Sequence, residues 1–154
     1  MSAWPKQDYD SMIAFYGPIG ESQVKLELPY PMRLSWDMSK TVSNIRCHSK
    51  VSESLRRVLE GILSHYGTLE KVHLNRMDLF GGCLNVRKIR RGSSWSIHSW
   101  GCAIDLDPEH NQLEWGRDKA TMPEEIIRIF EDEGWVSLGS ARNYDFMHFQ
   151  AARL

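Results

Sequence analysis

Between Val51 and Tyr66 the apolar residues Val51, Leu55, Val58, Leu59, Ile62, Leu63 and Tyr66 recur at the three-and-four spacing of one helical face, and Gly67 follows as a C-terminal stop. A stripe confined to one side marks a core-packing helix. A second helix is expected to start at Thr121, where Thr121 and Glu124 have capping-box spacing, and to run through "PEEIIRIFEDE" to Gly134. Its buried stripe is Ile126, Ile127 and Phe130.

Strand signals are shorter and fall between these helices. They are "EKVHLNRMDL" before the double glycine Gly81 and Gly82, "CAIDLD" from Cys102, "WVSL" from Trp135, and "FMHFQ" near the end. Short strands and helices in irregular order predict an α+β domain with a small, mostly antiparallel sheet and flanking helices. The first 45 residues carry Pro and Gly among aromatics in "FYGPIG" and "LPYPM", which suits an irregular segment covering the core. With 154 residues, no repeat and no linker-like tract, the expectation is one domain over 1–154.

Composition excludes several classes of function. A formal net charge of -1 provides no overall basic field for nucleic acid, and the basic cluster "RKIRR" from Arg87 to Arg91 is short and local. No apolar run approaches the roughly 18 to 20 residues that span a bilayer, and the N-terminus lacks the layout of a signal peptide. A cytosolic product without membrane insertion is expected. The three cysteines Cys47, Cys83 and Cys102 are an odd number at wide spacing, which argues against a disulfide framework and for reduced, buried thiols.

The chemistry concentrates in "SSWSIHSWGCAIDLDPEHN", residues 93 to 111. The two-residue period of a strand puts Ile104 and Leu106 on one face of "CAIDLD" and Ala103, Asp105 and Asp107 on the other. His98 precedes this strand across Gly101, whose freedom in φ permits a sharp bend. A third residue, His148 in "YDFMHFQ", sits in an apolar wall where a ring nitrogen needs a partner. Asp145 lies where a turn enters that strand, within reach of a metal-bound water. Two histidines and one carboxylate, with a fourth position open, are the ligand set of a catalytic zinc site. Spacing alone leaves two readings open, metal ligands or ordinary polar residues beside a buried strand, and no H-E-x-x-H motif is present to decide between them.

The strings "SIHSWGCAID", Ser96 to Asp105, and "DFMHF", Asp145 to Phe149, resemble the zinc D,D-carboxypeptidase and L-alanyl-D-glutamate endopeptidase family, in the pattern S-x-H-x-x-G-x-A-x-D followed by D/E-x-x-H. The resemblance covers about residues 80 to 150, the expected metal-site core. It implies one zinc ion on His98, Asp105 and His148, Asp145 as the catalytic acid/base, and Arg87 as the cation that binds substrate or stabilises the oxyanion. It also implies that Ser96 contributes to substrate binding or site geometry, and that the fold is the one shared by hedgehog domains and D,D-peptidases. The substrate class it implies is the stem peptide of bacterial peptidoglycan. Among its members the expected activity is an L-alanyl-D-glutamate endopeptidase, a phage or prophage endolysin working as a monomer on the cell wall after release. The alternatives are a D-alanyl-D-alanine carboxypeptidase and a non-catalytic zinc-binding module. The chain departs from many members after Gly134, where "WVSLGSARNYD" lacks an extra tryptophan and paired glycines.

His48, His65, His73 and His110 match no motif position and are expected to be structural or at the surface. Asp107 is open to two readings, a partner orienting a ligand or a strand-end turn before Pro108. Of Trp95, Trp100 and Trp135, at least two are expected in the core, as is Cys102.

Overall fold

The expected first helix forms as α2, Ser52–Tyr66, with Val51, Leu55, Val58, Leu59 and Ile62 buried along one side. Gly67 ends it in the left-handed region at φ 83°, its N–H bonded to the Leu63 carbonyl. The computed structural model describes residues 4–90 and 92–154. Its remaining helices are α1 (Tyr9–Tyr16), α3 (Leu69–Leu74), α4 (Glu124–Asp132) and α5 (Leu138–Arg142). The strands are β1 (Gln23–Leu34), β2 (Asp37–His48), β3 (Leu79–Gly82), β4 (Ala103–Leu106), β5 (Val136–Ser137) and β6 (His148–Gln150).

These strands form one sheet in the order β2-β1-β3-β4-β6-β5, antiparallel throughout except for β1 beside β3. The α+β expectation is met. Ile104 and Leu106 of β4 join Phe149 of β6 in a core shared with α2 and α4, where Phe149 stacks on Phe130 at 3.8 Å between ring centroids. Asp105 lies on the other face, as the alternation of "CAIDLD" requires.

The largest correction concerns the first 45 residues. They are not irregular: α1 is followed by a hairpin of two 12-residue strands, β1 and β2. In β1, Val24, Leu26, Leu28, Tyr30, Met32 and Leu34 alternate strictly with Lys25, Glu27, Pro29, Pro31 and Arg33. The prolines masked that period. They are tolerated because both fall between Glu27 and Met32, where the ladder to β2 is interrupted and no paired N–H is required of them.

Two further boundaries differ. The segment "EKVHLNRMDL" is mostly helix α3, capped by the Thr68 hydroxyl, which accepts from Lys71 N–H at 3.2 Å; only its end becomes strand β3. Helix α4 begins at Glu124, not Thr121, and the capping box does not form. Pro123 bars the residue before it from helical geometry, and the Thr121 hydroxyl instead accepts from Arg76 Nη2 at 3.3 Å. The stop at Gly134, at φ 81°, is where it was expected.

All three cysteines are buried and unpaired. Cys102 packs in the core as expected, and so do Trp100 and Trp135; Trp95 is half-buried beneath the Lys88 ammonium, 4.4 Å from its ring centroid. No helix among the described residues is long and apolar enough to cross a membrane.

Candidate metal centre

His98 lies in a 3-10 turn, Ile97–Trp100, which the Ser96 hydroxyl caps by accepting from His98 N–H at 3.2 Å. The turn ends at Gly101 in the left-handed region, φ 71°, where a Cβ would be strained and would displace the Gln23 amide. Asp105 and His148 reach each other by register, as direct partners across the β4–β6 pairing. One face of two adjacent strands and the end of one turn thus hold three ligand-bearing side chains, with His98 and His148 buried and Asp105 nearly so.

Hydrogen bonds to main-chain carbonyls decide which ring nitrogens are free. His98 Nδ1 lies 2.8 Å from the Cys83 carbonyl oxygen, which can only accept, so Nδ1 carries the proton and Nε2 is bare. His148 is set by two steps. The Gln150 amide nitrogen donates to the Ala152 carbonyl at 3.1 Å, which turns the Gln150 amide oxygen toward His148 Nε2 at 2.9 Å; Nε2 therefore donates and Nδ1 is bare. The two bare nitrogens face one carboxylate: His98 Nε2 is 3.3 Å from Asp105 Oδ2, and His148 Nδ1 is 3.3 Å from Asp105 Oδ1.

These atoms fit a metal ion. All three ligand atoms lie within 4.8 Å of one another, and among the described residues this is the one group of histidine, cysteine and carboxylate side chains so arranged. His98 Nε2 and Asp105 Oδ1 are buried with no hydrogen-bond partner, a costly state that a cation between them relieves. The 3.3 Å separations exceed the roughly 2.7–2.9 Å of a charge-assisted hydrogen bond. They suit nitrogen and oxygen atoms that would share one ion, each about 2.0–2.1 Å from zinc, better than a direct hydrogen bond.

Electrostatics sort the two carboxylates. Burial pushes the Asp105 carboxyl up, but in the metal-free site the positive charge that His98 and His148 carry when protonated outweighs it and holds the group below the usual carboxylate range. Asp145 goes the other way, pushed up to about 6 by burial and by neighbouring Asp105, against the pull of His148, His98 and Arg87. It stands in the left-handed region at φ 58°, its N–H bonded to the Leu113 carbonyl at 2.8 Å and its own carbonyl accepting from His148 N–H at 3.0 Å. The turn expected before β6 is present, and the backbone is tied on both sides of it.

Arg87 is exposed in the loop before the 3-10 turn, and its charge is felt at Asp145. The buried Ser99 hydroxyl fixes this loop: it accepts from Arg87 N–H at 3.2 Å and donates to the Arg87 carbonyl at 3.1 Å. Of the basic cluster, Arg87, Lys88 and Arg90 are exposed and Arg91 lies outside the described residues. Ser96 is buried, its hydroxyl engaged by His98 N–H.

The remaining candidates go elsewhere. Asp107 ends the strand at φ 48°, and its fully buried carboxylate binds Arg76 Nε at 2.9 Å and His110 Nδ1 at 2.8 Å, so the turn before Pro108 is its place. His48 is buried against the Tyr16 carbonyl at 2.7 Å, His73 pairs with Asp78, and His65 is exposed on α2. Three groups escaped notice in the sequence: the Cys83 carbonyl, Ser99 and Gln150. Only Gln150 had a signal, standing two residues from His148 on one strand face.

Residues 90–151 match a family model described as D-alanyl-D-alanine carboxypeptidase. Comparison with curated proteins and with solved structures yields no match. The matched stretch holds the three converging side chains His98, Asp105 and His148 and also Asp145, whose carboxyl feels their charges, and stops short of Arg87.

Proposed function

We propose that the chain is a zinc-dependent peptidase acting on the stem peptides of peptidoglycan. The observation that carries this reading is the convergence of two bare imidazole nitrogens on one buried carboxylate at 3.3 Å, inside the stretch that resembles a peptidase family. When bound, zinc supplies Lewis acidity toward a water molecule and the scissile carbonyl.

The chain's own residues supply the rest. His98, Asp105 and His148 hold the ion, their orientation fixed by Cys83 and Gln150. Asp145, at about 6, is ionised at neutral pH yet basic enough to take a proton from the attacking water and return it to the departing amine. Arg87, exposed and charged, holds the oxyanion or a carboxylate of the peptide. Ser96 acts on site geometry through the His98 N–H. A purely structural zinc site has no use for an unliganded acid so placed, which counts against a non-catalytic module.

The finer reading is an L-alanyl-D-glutamate endopeptidase, a lysis enzyme active as a monomer. Its support is the resemblance of "SIHSWGCAID" and "DFMHF" to a family that includes phage lysis enzymes. The family description favours D-alanyl-D-alanine carboxypeptidase instead. Digestion of purified peptidoglycan by the zinc-loaded protein, with a chelated sample beside it and fragments read by mass spectrometry, separates the two. New L-Ala C-termini on glycan strands mean an endopeptidase; loss of only a terminal D-Ala means a carboxypeptidase. No metal-dependent release overturns the peptidase reading.

A further inference from the structure

The resemblance and the family match leave the N-terminal segment without a role, yet its side chains reach the metal centre. Gln7 lies on an extended stretch bound to the end of the chain: Gln7 N–H donates to the Arg153 carbonyl at 2.8 Å, and Arg153 N–H donates to the Pro5 carbonyl at 2.7 Å. From there the Gln7 amide oxygen accepts from the Gln150 amide nitrogen at 3.0 Å. Gln150 is 1% exposed and makes its third bond, through its oxygen, with His148 Nε2.

The polarity of this chain is forced. An amide nitrogen has two N–H groups, and in Gln150 one goes to Ala152 and the other to Gln7. A flip of the Gln150 amide would set its oxygen against the Ala152 carbonyl, an obligate acceptor, and would take from the Gln7 oxygen the N–H that it accepts. Both partners therefore hold the oxygen on His148, and with it the tautomer that leaves Nδ1 bare toward Asp105. Ala152 is a neighbour of Gln150 along the strand; Gln7 is the one partner contributed by a distant segment.

We infer that Gln7, acting through Gln150, is a positioning residue for the metal ligand His148, so that the N-terminal segment is part of the metal centre. The inference rests on the metal-site reading above. Partners that orient a ligating histidine change metal affinity about 10- to 100-fold when removed; one bond further out, Gln7 exerts a smaller effect.

The test is zinc affinity, by competition with a chromophoric chelator, together with the visible spectrum of the cobalt-substituted protein. Gln150→Leu is expected to weaken zinc binding about 10- to 100-fold, and Gln7→Ala about three- to tenfold, each with an altered cobalt spectrum. Gln7→Glu, whose carboxylate still accepts the Gln150 N–H, should restore both readouts. Lys6→Ala, in the same segment but with its side chain outside the network, should match wild type. Because Gln7 is only half-buried, its variants keep the test readable even if Gln150→Leu fails to fold. Wild-type affinity and an unchanged spectrum in Gln7→Ala overturn the inference while leaving the zinc site standing. A wild-type chain that takes up no zinc overturns both.

Discussion

The two wings of the sheet are built on opposite terms. On one side, β1 and β2 are long and pair with each other over most of their length, and much of β2 faces outward: Met38, Ser39, Lys40, Thr41 and Ser43 are all exposed. On the other, β4 and β6 are four and three residues long, almost wholly buried, and each polar side chain on them has an assigned partner or faces the metal position. Length builds the frame; the short buried pair holds the chemistry. Where a strand has few residues and no exposed surface, each side chain is constrained from several directions, and substitution there should be costly out of proportion to size.

The steepest contrast is expected from the ligands. His148→Ala or Asp105→Ala should abolish stoichiometric zinc binding and lower peptidoglycan hydrolysis by about a thousandfold or more, both read on the same preparation. Hydrolysis surviving in either variant would break the comparison outright. Asp145→Ala comes next, with an expected loss of about 10²- to 10⁴-fold in turnover while zinc stays bound, because in the proposed mechanism Asp145 would move a proton and hold no ligand position. Loss of the metal in that variant would show that the turn before β6 is scaffold and not machinery.

A third outcome concerns stability, and its sign follows from burial. In the metal-free protein the Asp145 carboxyl is raised from 3.8 to about 6, so the folded state binds its proton more tightly than the unfolded chain does. Folding is unpenalised below about pH 4, loses stability as pH rises through 6, and carries the full cost above it. Asp145→Asn should therefore stabilise the metal-free fold at pH 7 by on the order of 1–3 kcal/mol and leave it unchanged at pH 4. Urea unfolding at the two pH values reads this directly. The smallest effects belong to the outer wing: Lys40→Ala and Ser43→Ala should shift stability by no more than about 0.5 kcal/mol and leave hydrolysis at the wild-type rate.

What could be foreseen follows the same division. The face alternation of "CAIDLD" and the helical stripe from Val51 were legible because each depends on side chains that repeat at one period over a whole element. The long hairpin was not, since Pro29 and Pro31 argue against a strand and only the interrupted ladder, a tertiary fact, removes the objection. The start of α4 was misplaced by trusting a cap over the proline that follows it. At the site, the three side chains that converge, His98, Asp105 and His148, could be named through the resemblance of their strings to a family motif, whereas the Cys83 carbonyl could not, because every residue has one. The reach of Gln7 across to Gln150 was equally hidden, for it depends on two segments far apart in sequence lying side by side.

Asp105 and His148 stand opposite each other in one particular pairing of β4 with β6. A slip of β6 by a single residue would carry His148 through to the helical face and bring a neighbour such as Phe149 out in its place. On the proposed metal reading, zinc would bind only the chain that has closed in this register, so the ion would act as a proofreader of the β4–β6 pairing and select against misthreaded sheets.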